Sequence, residues 1–175
     1  MFDPTAFDNM KVVLEGALYD KDLDKQIVIT DRNDIVNLAK LSRSFDLMFQ
    51  LADAEETHAR IVLDARLQNL ASELLPGHFS SGEEGCTVKL EFTFIHKNEL
   101  DYFSTIAEMF KRIWGKDRKI SQAATIRPFD KNDTICNTIT VQFDRIITED
   151  QMDDLVDMID YMLVTLREVR ELIIS

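Results

Sequence analysis

Glycine is scarce in this chain, with five residues among 175, and three of the five fall in one short stretch. Phosphate-cradling loops and nucleophile elbows need glycine wherever backbone must approach a ligand or adopt positive φ. No GxGxxG, GxxxxGKS, GxxxxGKT or GxSxG is present, which excludes a P-loop, a dinucleotide fingerprint and α/β-hydrolase chemistry. Cysteine is rarer still. Cys86 and Cys136 stand far apart with no CxxC, so neither a zinc ribbon nor a dithiol redox motif can be written, and both read as free buried thiols. The three histidines, His58, His78 and His96, form no HExxH or HxH pair. No apolar run approaches the roughly 20 residues that cross a bilayer. Residues 1–10 carry Asp3 and Asp8 but no Lys or Arg, unlike a secretion signal. A cytoplasmic location, no membrane partner, no metal and no cofactor are the expectation.

What is present is charge of one sign and apolar bulk. Acidic side chains number 32 against 20 basic, giving a net charge of −12, a field that repels phosphate backbones and argues against nucleic acid. Most of this charge reads as a solubility device. Hydrophobic residues make up 45% of the chain and include eleven Phe, too much apolar material for a disordered segment. A chain this long buries about two thirds of its unfolded surface and supports one core unaided. A single compact domain over 1–175 is expected, with sub-halves 1–75 and 86–175 joined by the loop 76–85 (PGHFSSGEEG).

Periodicity sets the elements. Residues 3–19 predict a helix with Asp3 as N-cap, Pro4 at its first position and Phe7, Met10, Leu14, Ala17 and Leu18 as its stripe. Residues 26–30 and 44–51 alternate as strands. Between them, 30–41 reads either as a short helix with Ile35, Leu38 and Ala39 inward, the preferred reading, or as a hairpin turn at 31–34 leading into a long strand. A second helix is predicted from Asp53 through Ile61, Leu63, Leu67, Leu70 and Leu74 to a stop at Pro76 and Gly77. The cleanest strand is 86–96, with Val88, Leu90, Phe92 and Phe94 on one side and Lys89, Glu91 and Thr93 on the other. A helix over 98–114 ends at Gly115, and a hairpin pairs 121–129 with 134–143. The last helix opens with a Thr148–Gln151 capping box and carries the strongest stripe, from Met152 to Ile173.

These elements predict an α+β fold: a mainly antiparallel sheet with helices packed on one face, in two layers, since the strands alternate rather than run apolar throughout. The halves loosely echo one another as an α-β-β-α pseudo-repeat, with residues 31–34 (DRND) resembling 130–133 (DKND).

Candidate sites are few. Glu55 and His58 form one Glu-x-x-His pair at the expected start of a helix, but a carboxylate-bridged di-metal site needs a second copy. His78, Ser80, Ser81, Glu83 and Glu84 share one loop, which reads as a connector rather than a catalytic triad. Asp150, Asp153, Asp154, Asp157 and Asp160 form an acidic band on the last helix that reads as a solvated face. The one basic patch, Lys111, Arg112, Lys116, Arg118 and Lys119 around Trp114 with Arg127 on the adjoining strand, offers a ligand or anion site at Lys116, Arg118, Lys119, Arg127 and Trp114. Its residues otherwise complement a helix C-terminus. Tyr161, Met162 and Val164 surround the last helix with apolar groups, so either a helix of the same chain or a second copy covers it. The leading functional expectation is a non-enzymatic protein-interaction or regulatory domain acting as a homodimer, open to a further protein partner. The alternative is a small-molecule or anion-binding domain, with enzymatic activity left open, at the patch around Trp114.

Overall fold

A computed structural model describes residues 5–75, 77–78, 82–129 and 131–175. Its elements are α1 (Ala6–Leu23), β1 (Ile27–Asn37), β2 (Ser42–Leu51), β3 (Ala54–Ala65), α2 (Leu67–Leu74), β4 (Cys86–Lys97), α3 (Leu100–Trp114), β5 (Lys119–Thr125), β6 (Thr134–Ile147) and α4 (Met152–Ile174). The six strands form one antiparallel sheet in the order β1-β2-β3-β4-β6-β5. Strands of the two sequence halves meet at the β3–β4 pairing, and α3 carries the chain past β6's place to the β5 edge. The fold is α+β as expected.

The inward alternation of three neighbouring strands builds the core. Phe45, Leu47 and Phe49 of β2, Ala59, Ile61 and Leu63 of β3, and Val88, Leu90, Phe92 and Phe94 of β4 are all buried. The helices close over them. Phe7, Met10, Leu14 and Leu18 of α1 form the predicted stripe, and Phe110 of α3 meets Phe92 edge-on at 5.1 Å between ring centres. The central helix is α4, with α1 on one side and α3 on the other. Both flanks need apolar cover, which is why Leu155, Met158, Ile159, Met162, Leu163, Leu166 and Val169 are all buried.

Two predicted elements change. Ala54–Ala65 form strand β3 rather than part of a helix, and only Leu67–Leu74 is helical. Pairing with β2 on one side and β4 on the other overrides the helical propensity of an Ala-, Glu- and Leu-rich segment. Only Arg66 separates the two elements, so a period of two runs into a period of 3.6 without punctuation. Residues 30–37 continue β1, and a register shift between Ile29 and Asp31 reverses which residues face inward. That shift hides the alternation. Ile35 faces outward as a result, and Leu38, expected inward, is 79% exposed in the turn at 38–41. The expected turn at 31–34 is therefore strand interior. The halves run α-β-β-β-α and β-α-β-β-α, so the loose echo is not element for element.

Helix ends agree more closely. Thr5 caps α1 by accepting from the Asp8 amide; the expected Asp3 cap and Pro4 lie outside the described residues, as does Pro76. Thr148 and Gln151 form the predicted capping box, although it caps a single 3-10 turn (Glu149–Gln151) leading into α4. Gly115 ends α3 at φ 88°.

One ion-pair cluster ties α1 to the edge strand. Arg43 bonds Asp8 at 2.7 Å and Asp34 at 3.3 Å, Lys11 bonds Asp34 at 2.8 Å, and Arg32 reaches Glu15 at 2.5 Å. Burial works to raise Asp8 and Asp34, but hydrogen bonds from Thr5 and Arg43 to Asp8, and from Lys11 and Arg43 to Asp34, hold both carboxyls below the usual carboxylate range. Depressed folded values mean stability that is present above the unfolded carboxylate value and is lost as pH falls through the folded one. Urea midpoints measured below about pH 4 should fall more steeply for the native chain than for Asp34→Asn.

A second check concerns Gly85, at φ +146°, where an added Cβ would stand 2.1 Å from the Ile147 carbonyl oxygen. Gly85→Ala forces β4 away from β6 and should cost about 2–5 kcal/mol in urea unfolding.

Candidate functional site

The long helices α1, α3 and α4 pack on one side, and among the described residues none of them covers the opposite face of the sheet. Its residues are the outward partners of each alternation. A row of polar groups crosses four strands: Asn33 on β1 donates to Asp46 on β2 at 3.2 Å, Arg60 on β3 grips both Asp46 oxygens at 2.9 Å, and Arg60 reaches Glu91 on β4 at 3.4 Å. Lys89 closes on Glu91 at 2.8 Å. Asp46 is 1% exposed, and its charge is tolerated because a planar guanidinium meets it with two parallel bonds. Beyond this row the face is small and neutral, with Thr93, Thr138, Thr140, Ser121, Ala123 and Gln142 in paired positions. Thr93 and Thr138 share a 3.1 Å hydrogen bond. At strand-paired outward positions, the carboxylates Asp31, Asp46, Asp64 and Glu91 equal the cations Arg60, Lys89, Lys97 and Lys119 in number. In a chain of net charge −12 the strand-paired outward positions are thus balanced, while Asp144 of β6 is exposed and has no ladder partner.

The predicted ligand residues are partly gathered. Trp114, Arg118 and Tyr161 line a cleft of about 270 Å³ between α3, α4 and β6. Trp114 is buried, with its ring 6.0 Å from Tyr161 and 6.2 Å from Phe143, and its Nε1 donates to Thr165 Oγ1 at 3.1 Å. The Arg118 guanidinium lies over Phe143 at 4.9 Å. Asp154 and Asp157 line the same cleft, and Asp154 accepts from Arg145 at 2.7 Å. Lys116 and Lys119 are exposed outside it. Arg127 follows the far end of β5, about 20 Å of strand from Lys119, so the structure does not bring it to the others.

On α4, Met162 is 0% exposed and belongs to the chain's own core, while Tyr161 at 54% and Val164 at 41% stay on the outer ridge. The acidic band along α4 is partly answered by cations, Lys21 on Asp160 and Arg145 on Asp154. Glu55 and His58 lie on β3, not at a helix start. Ser80 and Ser81 of the loop group lie outside the described residues. Burial, with Asp64 and Glu73 nearby, pushes the Cys86 thiol up to about 12, leaving it inert at neutral pH. Cys136, expected to be buried, is half-exposed on the outward face because it pairs with Ile95 and Thr125.

Sequence reading missed a polar chain inside the core. The Asn137 amide stands 3.0 Å from His96 Nε2 and donates to Gln122 Oε1 at 3.0 Å, while His96 Nδ1 meets the Lys97 carbonyl at 2.7 Å. The acceptors require Nδ1 to carry the proton. Burial lowers the His96 pKa against the opposing carbonyl bond, so the ring is neutral and structural. Its signal was legible: His96 continues the inward alternation of Val88 to Phe94.

Among the described residues, no three His, Cys, Asp or Glu side chains group as a metal site, and no helix is long and apolar enough to cross a membrane. The chain matches no protein-family model, no curated protein and no solved structure.

The Asp46–Arg60 pair holds the outward row together. Arg60→Met leaves a carboxylate at the bottom of the row without its cation and should lower stability by about 1–3 kcal/mol in urea unfolding. Adding Asp46→Asn should recover part of that loss.

Proposed function

We propose that this chain is a protein-interaction domain that works as a homodimer, its two copies meeting through the uncovered face of the sheet. The charge balance of its strand-paired positions is the observation that carries the reading. Along α4, by contrast, the acids Asp157, Asp160 and Glu168 share the outer side with Tyr161 and Val164, although Lys21 pairs with Asp160 and Arg112 with Glu168. A two-fold contact sets the same patch on both partners, so a charge-balanced patch is the one that self-association tolerates.

Size supports the same reading. Six strands spaced about 4.8 Å apart, with about ten residues each at about 3.3 Å, offer about 800 Å², which is about what each partner contributes to a standard interface. Two twisted sheets stack face to face at a small angle. The composition is polar, with Val28, Ile35 and Ile95 as its exposed apolar side chains, and suits a reversible contact rather than an obligate one.

Light scattering across a concentration series should give a particle of twice the 20.2 kDa chain mass. Thr140→Arg, on β6 between Glu91 of β4 and Ser121 of β5, should return it to one chain mass without shifting the melting temperature by more than about 2 °C. Raising salt to about 0.15 M screens the remaining carboxylates and should tighten the dimer. One chain mass at every concentration and salt would refute the reading.

A further inference from the structure

The sheet is interrupted at one end. Pairing between β3 and β4 stops at His58–Thr93, although β3 begins earlier, at Ala54, and β4 runs on to Lys97. On the other side of β3, the register jumps from Gln50–His58 to Leu51–Ala54, so Glu55, Glu56 and Thr57 form a bulge with no ladder partner on either flank. Bulges of this kind re-aim side chains and collect beside binding sites. Here the bulge, the β4 extension and the last turn of α4 enclose a cavity of about 260 Å³.

The cavity is chemically divided. Ile95 of β4 with Ile173 and Ile174 of α4 supply aliphatic wall, while Glu55 and Glu56 stand at the rim. Both carboxylates are exposed and form no ion pair among the described residues. Arg170 also lines the cavity but is held by Asp53 at 2.5 Å, so the rim keeps an excess of negative charge. Thr57 is 4% exposed, lines the same cavity, and its Oγ1 has no hydrogen-bond partner. An orphaned buried hydroxyl costs stability unless something satisfies it.

We propose that this notch binds a primary alkylammonium group. The carboxylates of Glu55 and Glu56 receive the cationic head, Thr57 Oγ1 accepts one of its three N–H donors, and the isoleucines take the methylenes. A lysyl side chain and a free aliphatic amine present the same chemistry. An ammonium ion is a compact cation with three rotatable donors on an apolar stem, which matches acid, hydroxyl and aliphatic wall in one place. A neutral alcohol lacks the charge, and a carboxylate is repelled.

The test uses the full chain, isotope-labelled, with amide shifts followed by NMR during titration with n-butylammonium chloride and, separately, n-butanol. Shifts confined to 54–57, 95 and 173–174, saturating with the ammonium and at least about tenfold weaker with butanol, are expected. Glu55→Gln with Glu56→Gln should weaken the ammonium by about tenfold or more. Thr57→Val separates a binding hydroxyl from a merely structural one: the melting temperature should hold or rise as the orphan is removed, while ammonium affinity falls about threefold or more. A blocked Gly-Lys-Gly peptide that shifts the same amides assigns the site to lysyl side chains. A silent peptide beside a binding amine assigns it to free amines. Unlocalised shifts, equal response to butanol, or unchanged affinity in the carboxamide or valine variants would overturn the proposal. The dimer is read by mass, so failure of either idea leaves the other standing.

Discussion

Everything in this molecule follows from burying one side of one sheet. The inward aromatic and aliphatic side chains of β2, β3 and β4 cannot face water, and α1, α3 and α4 exist to cover them. Phe45, Phe49, Phe92 and Phe94 from the strands meet Phe7 and Phe110 from the helices in one core. Aromatic side chains of this size dominate core energetics. The central position of α4 is a consequence, since a helix with neighbours on both flanks as well as a sheet beneath it needs a broad apolar surface.

Covering one side leaves the other free, and the free side had to solve a different problem. A half-buried antiparallel face with charged residues is stable only if its charges answer one another, and the Asn33–Asp46–Arg60–Glu91–Lys89 row does this across four strands. The acid excess of the chain is therefore displaced to helices, turns and rims. The same partition of charge leaves Glu55 and Glu56 without cationic partners among the described residues at the notch.

How legible this was in the sequence varied with the uniformity of each period. The helices α1, α3 and α4 and the strand β4 each keep one period from end to end, and their inward residues are identifiable from the sequence alone. Two strands were obscured because their signals are broken: β1 changes phase at the bulge after Ile29, and β3 passes into α2 through Arg66 alone. Among candidate site residues, Trp114, Arg118 and Tyr161 were picked from separate segments and do share a cleft, while Arg127 was assigned there by sequence proximity and lies at the far end of β5. Thr57, Asp46 and Arg60 carried no such signal, since their significance depends on partners from other strands.

The sequence by itself determined the class of fold, the one-sided core and the absence of nucleotide-binding glycine loops, because periodicity and residue type are local properties that burial reads directly. Only tertiary structure decided that 54–65 is a strand, that Met162 is interior, that the outward charges balance, and where β3 and β4 part. Those outcomes depend on strand pairing and register, which join residues remote in sequence and leave no mark on either segment alone.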